Sequence, residues 1–570
     1  MGEPNQVYIN SSKIKPNTYD AIVIGSGISG GWAAKELCQK GLQTLLLERG
    51  RNVEHIKDYT TAMLSPWEFE HRLNNTNKQK EESPVQSTAF DESSRQFYVN
   101  DKEHPYEQVK PFLWKRGYQV GGRSLTWGRQ CYRLSDLDFE ANKKEDIAVD
   151  WPIRYKDIAP WYDYVEKFVG ISGQAEGLPH LPDGILLPPL ELNCIENHLK
   201  NSIKKNTPDR LLTIARVANL SRGWNGRGAC QSRNLCHRGC PFGGYFSSNS
   251  ATLPEAFATG NLTLRPFSVV TEIIYDKKEN KATGVRVTDA ETKETFEYFA
   301  RIIFVNASTI ATTQILLNSK SETFPDGLGN SSGEVGHNLM DHHSGAGASG
   351  VHYGYADTYY KGRRPCGFYI PRYTNLPSDE KKNYVRGFGI QGHGERREWM
   401  DSGAVLPGFG REFKQQLTTP GPWTVWMAGW GECLPYHDNQ VSLSNEKDNW
   451  GMPIIKVDFS FKENESKMKD DIRESSAAML QQAGFKEINA FDYGLPGGST
   501  VHEMGTARMG NDPKTSVLNK FNQMHDVKNV FITDGSCMTS SAWQNPSLTY
   551  MALTARACNF AAQEMKTGRL

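Results

Sequence analysis

The sequence lacks an excess of charge of either sign: Lys plus Arg and Asp plus Glu both come to 65 in 570 residues. A balanced chain provides no long-range field for nucleic acid or an anionic membrane, which points to a neutral molecule or another protein as partner. Long apolar runs are missing as well. None is long enough to cross a bilayer, and the polar start from Met1 to Lys15 has no cationic and then hydrophobic segment. No direct membrane span is therefore expected, and no export signal on the chain itself. No repeat or low-complexity tract stands out. Cysteine is sparse, ten in all. Cys38, Cys131, Cys194, Cys366, Cys433, Cys537 and Cys558 stand singly and read as buried thiols.

What is present is a series of alternations and glycine breaks, over a length that suits about two to four domain-sized units. Tyr19 to Ile24 alternates and then runs apolar, Gly25 to Gly30 breaks the strand, and Gly31 to Lys40 reads as a helix with Ala33, Ala34 and Leu37 on one face. Leu42 to Leu47 reads as a second buried strand ending at Glu48. Asn52 to Pro111 turns polar and irregular, the pattern of an excursion or lid. Asp146 to Gly170 has helical spacing, and Asn261 to Val287 with Thr292 to Val305 suggests a β meander. Ser344 to Phe461 is rich in Gly, Trp, Tyr and Phe, as expected of an antiparallel sheet with an aromatic face. Trp423, Trp426, Trp430 and Tyr436 there could stack on a sugar or simply form sheet core. A last strand at Asn529 to Ile532 precedes a terminal helix from about Pro546 to Lys566.

Strand, turn, helix and strand at the start frame a G-x-G-x-x-G pattern. Gly25 permits the tight turn, Gly27 the approach of a pyrophosphate, and Gly30 the close packing of helix on strand. The helix start offers free N–H groups to phosphate. Glu48, at the end of the second strand, suits the adenosine ribose hydroxyls and repels the 2′-phosphate of NADP.

The glycine pattern alone does not choose between dinucleotides. Gln119 to Gly128 does, because Gly121-Gly122-Arg123-Ser124, followed by Thr126 and Trp127, resembles the flavin loop of the glucose-methanol-choline family. Further matches lie at Ile302 to Ser319, at Val335 to His342, at Asn529 to Asp534-Gly535, at His502 to Gly510, and at Asn545-Pro546-Ser547-Leu548-Thr549, so that the resemblance runs from about residue 17 to 566. It implies an α/β fold with a Rossmann-like FAD-binding domain, built from residues 17–60, 110–140, 226–343 and 496–568. It also implies a substrate-binding domain on an antiparallel sheet, from 141–225 and 344–495, with 61–109 as the excursion. The implied FAD contacts are Gly25, Gly27, Gly30, Glu48, Gly121, Gly122, Ser124, Thr126, Trp127, Asp534, Gly535, Pro546 and Thr549. Thr126 stands where some relatives carry a flavin-linked His, so noncovalent FAD is implied.

The same resemblance makes His502 and Asn545 a catalytic pair. Alcohol oxidation removes a hydroxyl proton and a hydride from one carbon, which needs a base near neutral pH and a well-placed acceptor. Histidine suits the base, and Asn545 can hold the oxygen but cannot take the proton. Asn-Pro also reads as a helix start, with Asn545 at the N-cap and Pro546 first in the helix, whose dipole would favour negative charge on a reduced flavin. His342 and His343 could shape the pocket, whereas His337 and His393 read as structural or surface groups.

Cys230, Cys236 and Cys240 lie close together in a glycine-containing loop. Three readings stay open from the residues: an iron–sulfur site, zinc with His237 as fourth ligand, or a disulfide plus one thiol. The spacing resembles that of the flavin subunits of bacterial fructose, glucose and glucoside dehydrogenases, which implies a 3Fe-4S cluster with Arg233 and Arg238 offsetting its charge. It further implies electron export to a cytochrome c and a small partner subunit bearing a twin-arginine signal. The periplasm is then the expected location, with the cytoplasm the alternative. The implied activity is oxidation of a secondary hydroxyl of a sugar or glycoside, first at C3 of a glucoside. Fructose, gluconate and pyranose 2-oxidation are rivals, and an oxygen-using oxidase or a non-catalytic flavin subunit are the further alternatives.

Overall fold

The computed structural model describes residues 17–358, 366–396, 408–418 and 420–570; the polar start read above lies outside them. Strand β1 (Thr18–Ile24), helix α1 (Ile28–Gln39) and strand β2 (Thr44–Leu47) open the chain. Ala21, Ile22, Val23, Leu45 and Leu46 are all fully buried, as required of strands covered on both faces. The helix starts earlier than the periodicity predicted because Gly30 and Gly31 belong to its first turns. At Gly31 a Cβ would lie 2.6 Å from Ser248 Oγ, so the contact there admits no side chain.

After α2 (Tyr155–Val169) the chain returns to this sheet with β3 (Leu262–Arg265), β4 (Ser268–Asp276), β5 (Lys281–Asp289) and β6 (Thr295–Val305). The order is β3-β2-β1-β6-β5-β4, with the late strand Val530–Ile532 also on β6. β6 joins the parallel and antiparallel parts of this one sheet. Its first half pairs antiparallel with β5, and its second half runs parallel to β1, Ile22 lying opposite both Ile303 and Leu45. The predicted meander is therefore split: β4 to β6 form an antiparallel extension of a parallel nucleotide-binding sheet, while β3 joins the parallel strands beside β2 at the other edge. Helix α3 (Thr309–Asn318) follows β6 and packs back on β4.

A second, wholly antiparallel sheet carries β7 (Ala346–His352), β8 (Phe368–Ile370), β9 (Phe388–Arg396), β10 (Trp423–Gly431) and β11 (Lys486–Asp492), ordered β11-β7-β10-β9-β8 and closed at one edge by Thr213–Ile214. Helix α4 (Glu463–Gln482) lays Met468, Ile472, Met479 and Leu480 into the core of this sheet. Gly429 permits the approach, since a Cβ there would meet Ile472 at 2.5 Å. Trp423 joins the core, while Trp426 lies over Phe491 on the other face.

The irregular segment before residue 110 is built of turns and short helices, and it does carry a small core: Val53, Tyr59, Ala62 and Phe97 pack with Leu125 of the flavin-type loop. Its end, Glu107–Gln108, pairs with Pro453–Asp458. The chain closes with β12 (Val530–Ile532) and α5 (Ser547–Lys566), the latter packed on α1 and α2. Among the described residues no helix is long and apolar enough to cross a membrane.

Candidate active site

Between the glycine turn of β1 and the start of α5 lies a cavity of about 400 Å³. Gly25 takes φ +91°, and at Gly30 a Cβ would lie 1.8 Å from the Gly25 carbonyl oxygen, so helix and turn touch there. No atom lies within 4 Å of a Cβ built on Gly27, which leaves its face open to the cavity. Glu48 is fixed from behind: one oxygen accepts the Ser26 N–H (3.1 Å) and hydroxyl (2.5 Å), the other the Gly50 N–H (3.1 Å). Burial raises its carboxyl above the ordinary range, against these hydrogen bonds.

The Ser26 hydroxyl also accepts the Gly121 N–H at 2.9 Å, joining the two glycine loops. Ser124 shapes the second loop by donating to the Gly121 carbonyl (2.6 Å) and accepting the Ser248 N–H (3.0 Å). Gly122, Ser124, Thr126 and Trp127 line the cavity, as do Asp534, Gly535 and Pro546. Asp534 accepts the Thr312 hydroxyl at 2.6 Å and the Ser536 N–H at 3.0 Å. Gly30 and Gly121 act from behind the wall. Thr549 is not at the cavity: its hydroxyl pairs with the Tyr162 hydroxyl at 2.8 Å, inside the contact between α5 and α2. The open face of Gly27, the free N–H groups at the start of α1 and the ribose-type carboxylate of Glu48 together fit FAD.

His502 and Asn545 meet at the other end. Asn545 Nδ2 lies 3.4 Å from His502 Nε2, and both residues line the cavity. The His502 Nδ1 lies 3.0 Å from His342 Nδ1, whose Nε2 is 2.9 Å from the Ala542 carbonyl oxygen. Gln391, on β9, donates to Asn545 Oδ1 at 2.7 Å. Burial, then the His342 ring and the Arg123 cation, hold His502 well below the ordinary histidine range, so it is neutral at neutral pH. Burial likewise brings His342 down to about 4.

Asn545 is not the helix cap expected from the Asn-Pro pair. Pro546 occupies the cap position with helical backbone and no side-chain cap bond, because the Asn545 amide is committed to Gln391 and His502. The loop bearing His502 is pinned at several points. Asp341 accepts the His502 N–H at 3.1 Å, and Arg123 bridges to Glu503 at 3.0 Å and to the Val501 carbonyl at 2.9 Å. Burial, then Glu503, push the Asp341 carboxyl up to about 7. His342 therefore does belong to the site, whereas His343 points at Met468 Sδ, 3.1 Å away. Sequence reasoning missed Gln391, whose only signal is a polar side chain mid-strand between Ile390 and Gly392, and Arg123, hidden as the variable residue of the Gly-Gly-x-Ser turn.

Cys230, Cys236 and Cys240 are half-buried and in no disulfide. Cys230 accepts the Ser232 N–H at 3.4 Å and Cys240 the Gly244 N–H at 3.3 Å. Burial, with the neighbouring Cys236 and Cys240 adding to it, raises the Cys230 thiol. Among the described residues no three His, Cys, Asp or Glu side chains are gathered as a metal site, so the thiols as they stand form no cluster cradle. The zinc alternative loses its fourth ligand, since His237 turns to Asp91 at 3.6 Å. Arg233 and Arg238, expected to offset the charge of a cluster, donate to the carbonyls of Ala62 and Leu64. The cation beside Cys236 and Cys230 is Arg129, which also lines the cavity.

Fold and cavity define a dinucleotide-binding α/β protein with an imidazole–amide pair on the cavity wall and an antiparallel sheet beside it. The N-terminal family model of the GMC oxidoreductases matches residues 19–344 and the C-terminal one residues 435–554. The chain belongs to this family of FAD-binding oxidoreductases. It is 30% identical over 572 residues to the 2-methyl-1,2-propanediol dehydrogenase of Mycolicibacterium austroafricanum, covering 95% of each chain. With the fructose dehydrogenase large subunit of Gluconobacter japonicus it shares 25% identity, over 96% of this chain and 98% of the relative. In fold it is similar to the crystal structure of pyridoxine 4-oxidase from Mesorbium loti, with a TM-score of 0.61 at 15% identity, covering 95% and 99% of the two chains.

Proposed function

We propose that the protein is an FAD-dependent dehydrogenase that oxidises a secondary hydroxyl of a sugar or glycoside, first of all C3 of a glucoside, to the ketone. The observation that carries this reading is the neutral His502 ring with Asn545 against its Nε2 at the cavity end. The substrate hydroxyl donates to His502 Nε2 and accepts the Asn545 N–H, which lines up the O–H bond to be broken. His502 takes that proton as the carbon gives up its hydrogen. Bound FAD supplies the two-electron acceptor for the hydride. Likeness to the fructose dehydrogenase large subunit supports a sugar. The 30% identity to a 2-methyl-1,2-propanediol dehydrogenase favours, as second reading, a small diol.

The finer part of the proposal concerns where electrons go. Cys230, Cys236 and Cys240 would hold a 3Fe-4S cluster, with a cytochrome c as acceptor and a small twin-arginine subunit taking the chain to the periplasm. Its support is the cysteine spacing, the absence of a disulfide among the three thiols, and Arg129, which feels Cys236 and Cys230 and also lines the cavity. No step at His502 depends on it. The experiment is anaerobic purification, followed by absorption and electron paramagnetic resonance spectra before and after methyl glucoside. Bleaching of flavin bands with a 3-keto product, and a cluster signal lost in Cys230→Ser, are expected. Bleaching by the diol but by no sugar would establish the second reading, and peroxide formed in step with substrate once oxygen is admitted would make the enzyme an oxidase.

A further inference from the structure

The Ala542 carbonyl can only accept, and from that one fact a direction follows through four hydrogen bonds. His342 Nε2, 2.9 Å away, must carry its proton. The ring is neutral, so its Nδ1 is a lone pair. His502 Nδ1, 3.0 Å from that lone pair, must then be the protonated nitrogen of a neutral ring, which leaves its Nε2 bare. A bare Nε2 repels an amide oxygen and accepts an amide N–H, so Asn545 turns its Nδ2 toward it, at 3.4 Å. Its Oδ1 then meets the Gln391 Nε2 at 2.7 Å.

We propose that His342 and Gln391 are positioning residues for this reaction: His342 holds His502 as the Nδ1–H tautomer, and Gln391 holds Asn545 with its N–H toward the base. The base so presented needs no tautomer change before it takes a proton. A substrate oxygen entering between His502 and Asn545 finds one acceptor for its proton and one donor for its lone pair, already oriented.

Two backbone positions support the same arrangement independently. Val501, just before His502, and Ala542, whose carbonyl anchors the series, both lie in the left-handed region, at φ +59° and +56°. A β-branched residue is rarely held there, and such positions persist only where surrounding contacts enforce them. Arg123 enforces the first through the Val501 carbonyl, and burial of the loop from Thr539 to Ala542 the second. Gln391 reaches Asn545 from β9, so the second sheet takes part in orienting the amide that sits just before α5.

This inference rests on the alcohol-oxidising reading for its meaning but not for its test. In the flavin-loaded protein labelled with 15N-histidine, the His502 resonances, identified by their loss in His502→Ala, are expected to show a protonated Nδ1 and a bare Nε2. An Nε2–H tautomer, or an even mixture, would overturn the proposal even if every sugar is oxidised. The converse result, no turnover with any alcohol alongside the expected tautomer, would sink the functional reading alone. In turnover, His342→Leu should lower kcat about 10–100-fold with KM little changed. His342→Gln, which can still accept from His502 and donate to Ala542, should recover most of that loss. Equal losses in the two variants, or wild-type kcat in His342→Leu, would count against it. Should His342→Leu fail to fold, the wild-type spectrum decides by itself.

Discussion

The catalytic corner and the cysteine loop differ in how their reactive atoms are held. In the corner every polar side-chain atom of His502, His342 and Asn545 has a partner supplied by the chain, and the partners form one directed series ending on a backbone carbonyl. In the loop, Cys230 and Cys240 each accept one backbone N–H, and Arg233 and Arg238 serve carbonyls of another segment. Neutral groups can orient one another without a ligand, because hydrogen bonds are directional. Thiols gain from each other's nearness only through something that bridges them.

The sharpest way to break the first region lies at the glycine turn on which its cofactor depends. Gly30→Val would drive a side chain into the Gly25 carbonyl, 1.8 Å from its Cβ, and should abolish FAD binding; flavin absorbance per protein after purification checks this. Next comes His502→Ala, expected to cut kcat about 10²–10⁴-fold with flavin content intact, since it removes the base but not the cavity. Asn545→Ala should cost less, about 10–100-fold, by removing one oriented donor and leaving Gln391 unpaired.

The glycine turn, the two sheets and the His502–Asn545 pair were legible because each is a local pattern: a spacing of glycines, an alternation, a motif. Thr549 and the Asn-Pro cap were misread because a motif position does not say which way a side chain points. Tyr162 claims the one, and Gln391 with His502 the other. Gln391 was beyond local reading altogether, and His342 was read as shaping the pocket but not as the partner of His502, since they reach the pair across separations of 154 and 160 residues.

A smaller effect concerns pH. His342 is held at about 4 in the folded chain, against an ordinary value near 6.5, so the unfolded chain binds its proton first. Its contribution to stability is therefore full above about pH 6.5 and is lost as pH falls toward about 4. Thermal unfolding between these limits should show a steeper decline in the wild type than in His342→Gln. Smallest of all should be Cys236→Ser, on a half-buried loop. It is expected to change stability by about 0.5 kcal/mol or less and to leave substrate-driven flavin reduction intact, even where transfer to an external acceptor is lost. Denaturant unfolding and anaerobic flavin reduction separate the two.

The most direct measurement is anaerobic stopped-flow reduction of the bound flavin by methyl glucoside in wild type and His502→Ala. Fast bleaching in the wild type and a rate at least about a hundredfold lower in the variant is the result predicted for a His502 base. Equal rates in the two, or flavin bands that no sugar or diol bleaches, would contradict it.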